Sequence, residues 1–189
     1  MSAPLHHSIS VPVRLLARAL RNSGCVLLMA SAPVSGWCQT TITTGMRWST
    51  YLGGTADAQV LSVATDAFGH VYVAGRTSDS LHLGNDTTGR SGLTYQGTYG
   101  GGGSDAFLAK IAPHGSVLWC TYFGGEGDDE AVQVVITEMD GVYLVGHTTS
   151  ADGIATDTLA HQGAHGGGQD MFVARFTEYG ALLGATYFG

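Results

Sequence analysis

Short apolar runs bounded by turn residues recur along the chain from residue 60 onward. Val60-Leu61-Ser62-Val63-Ala64-Thr65 leads through Asp66-Ala67-Phe68-Gly69 into Val71-Tyr72-Val73-Ala74-Gly75. Residues 106–111 turn at Pro113-His114-Gly115 into residues 117–122. β-Branched and aromatic runs joined by Gly, Pro and Asp read as strands in hairpins. The same order then returns: residues 132–137 turn at Met139-Asp140-Gly141 into 142–145, and residues 171–176 turn at Tyr179-Gly180 into 182–187. None of these stretches carries a helical period, so the pattern predicts an all-β chain with four strands in each of two units.

The two units are copies. Placing Tyr51 on Tyr122 puts Val63 on Val134, Val71 on Val142, Tyr72 on Tyr143, Gly75 on Gly146 and Thr77 on Thr148, a repeat of about 70 residues. Beyond Thr148 the offset falls from 71 to 65 by the point where Asp105 meets Asp170. A length change between matched segments marks an exposed loop, because paired backbone does not tolerate insertion. The stretch from Gly101 to Gly125 returns as residues 166–176 and 185–189, and Trp48-Ser49-Thr50-Tyr51-Leu52-Gly53-Gly54 is a third copy of its last strand. Four antiparallel strands at a fixed period, with a Gly-Gly break between units, are the mark of a propeller blade.

Three motifs occur in the same order in both units: the Trp-Ser-Thr-Tyr-Leu-Gly-Gly run, the run from Asp66 to Thr77, and Gly-Gly-Ser-Asp-Ala-Phe-Leu-Ala-Lys-Ile at 102–111 followed by Gly115 and Trp119. In these the chain resembles the bacterial SBBP β-propeller repeat, from Trp48 nearly to Gly189. The resemblance implies a secreted or surface-exposed bacterial protein with several such repeats. Two departures stand out: Gly184 replaces the Trp at the end of the second unit, and Glu138-Met139-Asp140 shortens the usual Asp-centred turn.

The expected fold is therefore an all-β partial β-propeller of two four-stranded antiparallel blades plus one leading strand at 46–51, with units at about 53–123 and 124–189. Closed propellers use about 4–8 blades. The chain is expected to be the N-terminal part of a larger propeller, with missing blades or self-association needed to close the ring; a truncated product is the other reading.

Composition narrows the address and the partners. Glycine is in excess, 29 residues against 4 prolines, and charged residues make up only 12%, as expected of tight turns between short strands. A net charge of −7 with only 8 Lys and Arg argues against nucleic acid, which demands clustered cations. Arg14, Arg18 and Arg21 precede the apolar run from Cys25 to Ala32, the order of a secretory signal and too short for a transmembrane segment. Residues 1–39 are read as a signal peptide and N-terminal extension, with cleavage after Ala32 or Cys38; an amphipathic or disordered extension is the alternative. Cleavage after Cys38 leaves Cys120, which takes the place of Ser49 and Ala185 and so reads as a small packing residue.

Candidate chemistry is sparse. His161 and His165 have the spacing of a helical metal pair but sit among glycines, where a helix does not form. His70, His114 and His147 fall in or beside turns with no zinc spacing. Asp57, Asp128, Asp129 and Glu130 form the strongest acidic group, yet lack calcium-loop spacing. Asp57, Asp128, Asp105 and Asp170 are read instead as acceptors for turn amides, and Trp48 and Trp119 as packing between blades rather than sugar platforms. The Gly runs at 100–103 and 166–168 have no Lys-Ser/Thr after them, so they are not phosphate loops. No catalytic, cofactor or metal residue is assigned. The expectation is a non-enzymatic scaffold or binding module, secreted or at the cell surface, that recognises a surface protein or glycan through loops 78–100 and 150–165. An extracellular polysaccharide hydrolase or lyase is the alternative, to be recognised by paired acidic residues that break the repeat.

Overall fold

A computed structural model describes residues 45–79, 95–137, 141–155 and 160–189. The expected leader at 1–39 lies outside them, as do the 138–140 turn and the middle of each non-repeating loop. The strands are β1 (Ala58–Thr65), β2 (Val71–Thr77), β3 (Asp105–Ile111), β4 (Val117–Phe123), β5 (Asp129–Ile136), β6 (Val142–Thr148), β7 (Asp170–Phe176) and β8 (Leu182–Phe188). They form two four-stranded antiparallel sheets in the orders β1-β2-β3-β4 and β5-β6-β7-β8. The eight expected blade strands are present, the leading stretch expected as a strand at 46–51 is not in one, and no helix occurs among the described residues, so the chain is an all-β partial propeller.

The hairpin turns close as their residues dictate. Ala112 donates to Ser116 O at 2.8 Å and Gly115 to Ala112 O at 2.9 Å, with Gly115 at φ 95°, a conformation that penalises any Cβ. Gly180 repeats this at φ 85° in the β7–β8 turn. At the β1–β2 turn Asp66 accepts the Phe68 and His70 amides at 2.9 Å each and the His70 ring at 2.7 Å.

The innermost pairing holds a feature that the repeat alone did not explain. Register shifts between Val60 and Ser62 in β1 and between Ala131 and Gln133 in β5, so the first strand of each blade is bulged at the same place. The bulge leans the carbonyls of Gln59 and Glu130 over Gly75 and Gly146, where an added Cβ would collide with them. These two glycines are matched because there is no room for a side chain.

Side chains alternate between the two faces of the first blade, as the pleat requires. Tyr72, Ala74, Ala106, Leu108, Trp119 and Phe123 join Ala131, Val134, Leu144, Phe172 and Phe176 of the second blade in one core. Val73, Phe107, Ala109, Ile111, Cys120 and Tyr122 make the opposite face, covered by Trp48 and Leu52 of the leading segment. That segment, residues 45–52, has no ladder partner among the described residues. Phe107 and Ala109 of β3 thus have neighbours on one side and Ala106 and Leu108 on the other, which is why all of β3 is buried.

The Trp residues act as clasps. Trp119 Nε1 donates to Glu178 O at 3.0 Å, and its ring lies 3.0 Å from where Gly180 would carry a Cβ. Trp48 Nε1 donates to Pro113 O at 2.9 Å, and its ring comes equally near at Gly115. Each Trp therefore grips the outer hairpin turn of the blade that follows it in sequence, as packing between blades predicts. Among the described residues the outward face of the second blade has the same motif but no such cover: Phe123 is 0% exposed, and its repeat partner Phe188 is 51% exposed.

Candidate functional site

The blade junction gathers most of the polar side chains that sequence singled out. The connection from β4 to β5 runs Gly124-Gly125-Glu126-Gly127-Asp128 and is fixed from both blades. Gly124 donates to Gln96 Oε1 at 3.2 Å, Gly127 to Ser150 Oγ at 2.9 Å, Asp128 to Thr149 Oγ1 at 2.7 Å and Asp129 to Ser104 O at 2.7 Å. Asp128 Oδ1 accepts the Gly103 amide at 2.5 Å. Asp105 Oδ2 accepts the Gly100 amide at 2.5 Å, and Asp170 Oδ2 accepts that of Gly166 at 2.6 Å. These three are the turn anchors expected of them. Asp57 holds Ser78 through its main-chain carbonyl, at 2.9 Å.

Asp129 departs from the repeat. Its counterpart in the first blade is Ala58, and it is 1% exposed beside Asp105, which is 0% exposed. Asp129 Oδ2 accepts Ser150 Oγ at 2.8 Å and the Gly125 amide at 2.9 Å. Both Asp105 Oδ1 and Asp129 Oδ1 are buried without a hydrogen-bond partner. Burial pushes the Asp105 carboxyl up to about 6, and the Asp129 charge adds to the rise. Burial also raises Asp129, with the hydroxyls of Thr148 and Ser150 and the Gly125 amide pulling the other way. This pair was not found from sequence; the break in the repeat at Ala58/Asp129 was the signal that could have found it.

A pH dependence follows. The folded Asp105 carboxyl titrates at about 6 against 3.8 in its ordinary state, so the folded chain binds the proton more tightly. Stability is then greatest below about pH 4 from this group, declines as pH rises to about 6 and levels off, a loss of about 3 kcal/mol. Urea midpoints measured in EDTA from pH 4 to 7.5 should show this decline, and Asp105→Asn should flatten it. A wild-type midpoint rising across that range would contradict the assignment.

Two concavities open beside the junction and on the outward face. A cleft of about 470 Å³ is lined by Asp57, Gln59, Arg76, Ser78, Ser104 and Asp128. Arg76 Nε is 3.2 Å from Gln59 Oε1 and 3.5 Å from Glu130 Oε2 across the junction. Among the lining residues, Gln59, Arg76, Ser78 and Ser104 have no identical counterpart in the other copy. A second hollow of about 330 Å³ lies where Gly184 stands in place of Trp, lined by His161, Arg175 and Leu183 among others.

The remaining candidates take structural places. His161 stacks on Phe188 at 5.3 Å, and His165 Nδ1 accepts the Gly167 amide at 3.1 Å while its ring meets Tyr187 edge-on. His70, expected to be simply solvated, is instead locked to Asp66. Against the cost of burial, the His70 ring and the His70 and Phe68 amides hold the Asp66 carboxyl below its usual range. His147 pairs with Glu130 in register. Cys120 is 2% exposed opposite Ala109, and burial pushes its thiol up to about 12, so it packs and is not a nucleophile. Lys110, 5% exposed, reaches across the junction to Glu178 O at 3.3 Å and lies 5.1 Å from the Tyr72 ring centre. No helix among the described residues is long and apolar enough to cross a membrane.

Comparison with protein families matches residues 47–82 to the SBBP β-propeller repeat. The match spans the leading segment and the β1–β2 hairpin, the same motifs that repeat downstream. No curated protein matches the chain.

Proposed function

From an SBBP-type β-propeller repeat as its building unit, we propose that this chain is a non-enzymatic binding module, secreted or held at the bacterial cell surface, whose ligand is a surface glycan. The carrying observation is the division of labour among polar residues. Those that recur, Asp105, Asp170 and Asp128, are anchored on turn amides, whereas Gln59, Arg76 and Ser104 do not recur and line the open polar cleft. Polar groups that the two repeats do not share and that gather in a concavity suit the hydroxyls of a sugar.

The enzymatic alternative calls for paired carboxylates that break the repeat; Asp129 breaks it and lies beside Asp105, which keeps it. Their burial, 0% and 1% exposed, keeps a polysaccharide away from them and supports the non-enzymatic reading. Calorimetric titration of the folded chain against a panel of bacterial surface glycans tests the proposal. One glycan should bind, and Arg76→Ala should weaken it about tenfold with the melting temperature unchanged. Binding to none, a surface protein bound in their place, or turnover of a glycan would each overturn it.

A further inference from the structure

We propose that the Asp105–Asp129 pair is a binding site for one calcium-class divalent cation that ties the two blades together. Asp105 opens β3 of the first blade and Asp129 opens β5 of the second, so an ion between them bridges separately folded sheets. Three observations carry this. Both carboxyls are shut off from solvent, and each keeps an oxygen, Oδ1, with no hydrogen-bond partner. A buried carboxylate oxygen without a donor or a counter-charge is costly.

The two groups also converge. Asp129 Oδ2 and Asp105 Oδ1 lie 2.5 and 3.1 Å from the single point where Gly124 would carry a Cβ. Any side chain at 124 would collide with both carboxylates, so glycine there lets the two groups close on the same turn.

The donor set selects the ion. Among the described residues no three His, Cys, Asp or Glu side chains converge, so the two carboxylates are completed by other oxygens. The Gly124 and Gly125 carbonyls crowd the same turn, within 3.0 Å of the Cβ position of Gly100. An all-oxygen set with main-chain carbonyls and irregular geometry suits calcium, whereas magnesium demands a near-ideal octahedron. Two carboxylates balance the charge of one such ion. The first blade has Ala58 in place of Asp129, so the site occurs at this junction and not as a property of every repeat.

The test uses the full chain, stripped with EDTA and titrated with calcium chloride by calorimetry and thermal melting. One ion should bind per chain, and saturation should raise Tm by about 5 °C. Asp129→Ala copies the residue already present at the matching place in the first blade, so it should fold and lose both the heat and the Tm response. Asp105→Asn, which keeps an acceptor for the Gly100 amide, should do the same, and Asp57→Asn at the exposed cleft should change neither. No heat and no Tm rise with millimolar calcium would overturn the proposal. So would a response equal to wild type in Asp129→Ala or Asp105→Asn, or one abolished by Asp57→Asn, since the ion would then be held elsewhere.

Discussion

Replacing Phe123 by alanine is expected to lower the stability of the chain by about 4 kcal/mol, while the same change at its repeat partner Phe188 is expected to cost about 0.5 kcal/mol. Both occupy the Tyr-Phe-Gly end of an outer strand. Phe123 is fully buried, with ring centres of Phe172, Phe176 and Tyr95 at 4.9, 5.8 and 5.9 Å. Truncation there leaves a cavity between two sheets that cannot collapse without moving β7, which carries Phe172 and Phe176. Phe188 is half exposed, with His161 stacked on it at 5.3 Å. Urea unfolding of the two variants side by side decides the matter, and equal losses would mean that the second blade's outward face is covered in solution.

The second large effect is at the bulge. Gly146→Ala is expected to cost about 3 kcal/mol, because the new methyl would be driven into the Glu130 carbonyl and 2.6 Å from the Phe172 ring, and backbone of a paired strand cannot yield as a flexible side chain does. Gly184→Ala is the control: it meets nothing within 4 Å and should be nearly neutral. Thermal melting separates them, with a fall of about 6–12 °C expected for Gly146→Ala in a chain of this length. A neutral Gly146→Ala would show that the bulge is not held as described.

Much of this fold was legible because a propeller blade is built from local signals. Alternating apolar runs set the strands, and glycines at the turns set the hairpins. The repeat identified Trp48 and Trp119 as equivalent, and their clasps on Gly115 and Gly180 are equivalent in space. Asp105 and Asp170 could be read as turn anchors because an Asp beside a Gly run has amides within reach of its own carboxylate. His70 was misjudged for a related reason: its partner Asp66 is four residues away across a turn, and turn residues in isolation look solvated.

The candidate site was less legible. Asp129 stood in an acidic run without calcium-loop spacing, and only the packing of β5 against the first blade buries it beside Asp105. Sequence by itself determined the strands and their pairing order, since each depends on contacts within one repeat. The tertiary structure alone decided which copies of a motif are buried and which charges meet. Phe123 and Phe188, or Asp129 and Ala58, differ in role through what the neighbouring blade places against them, and contacts between sheets are set by three-dimensional stacking that no local pattern encodes.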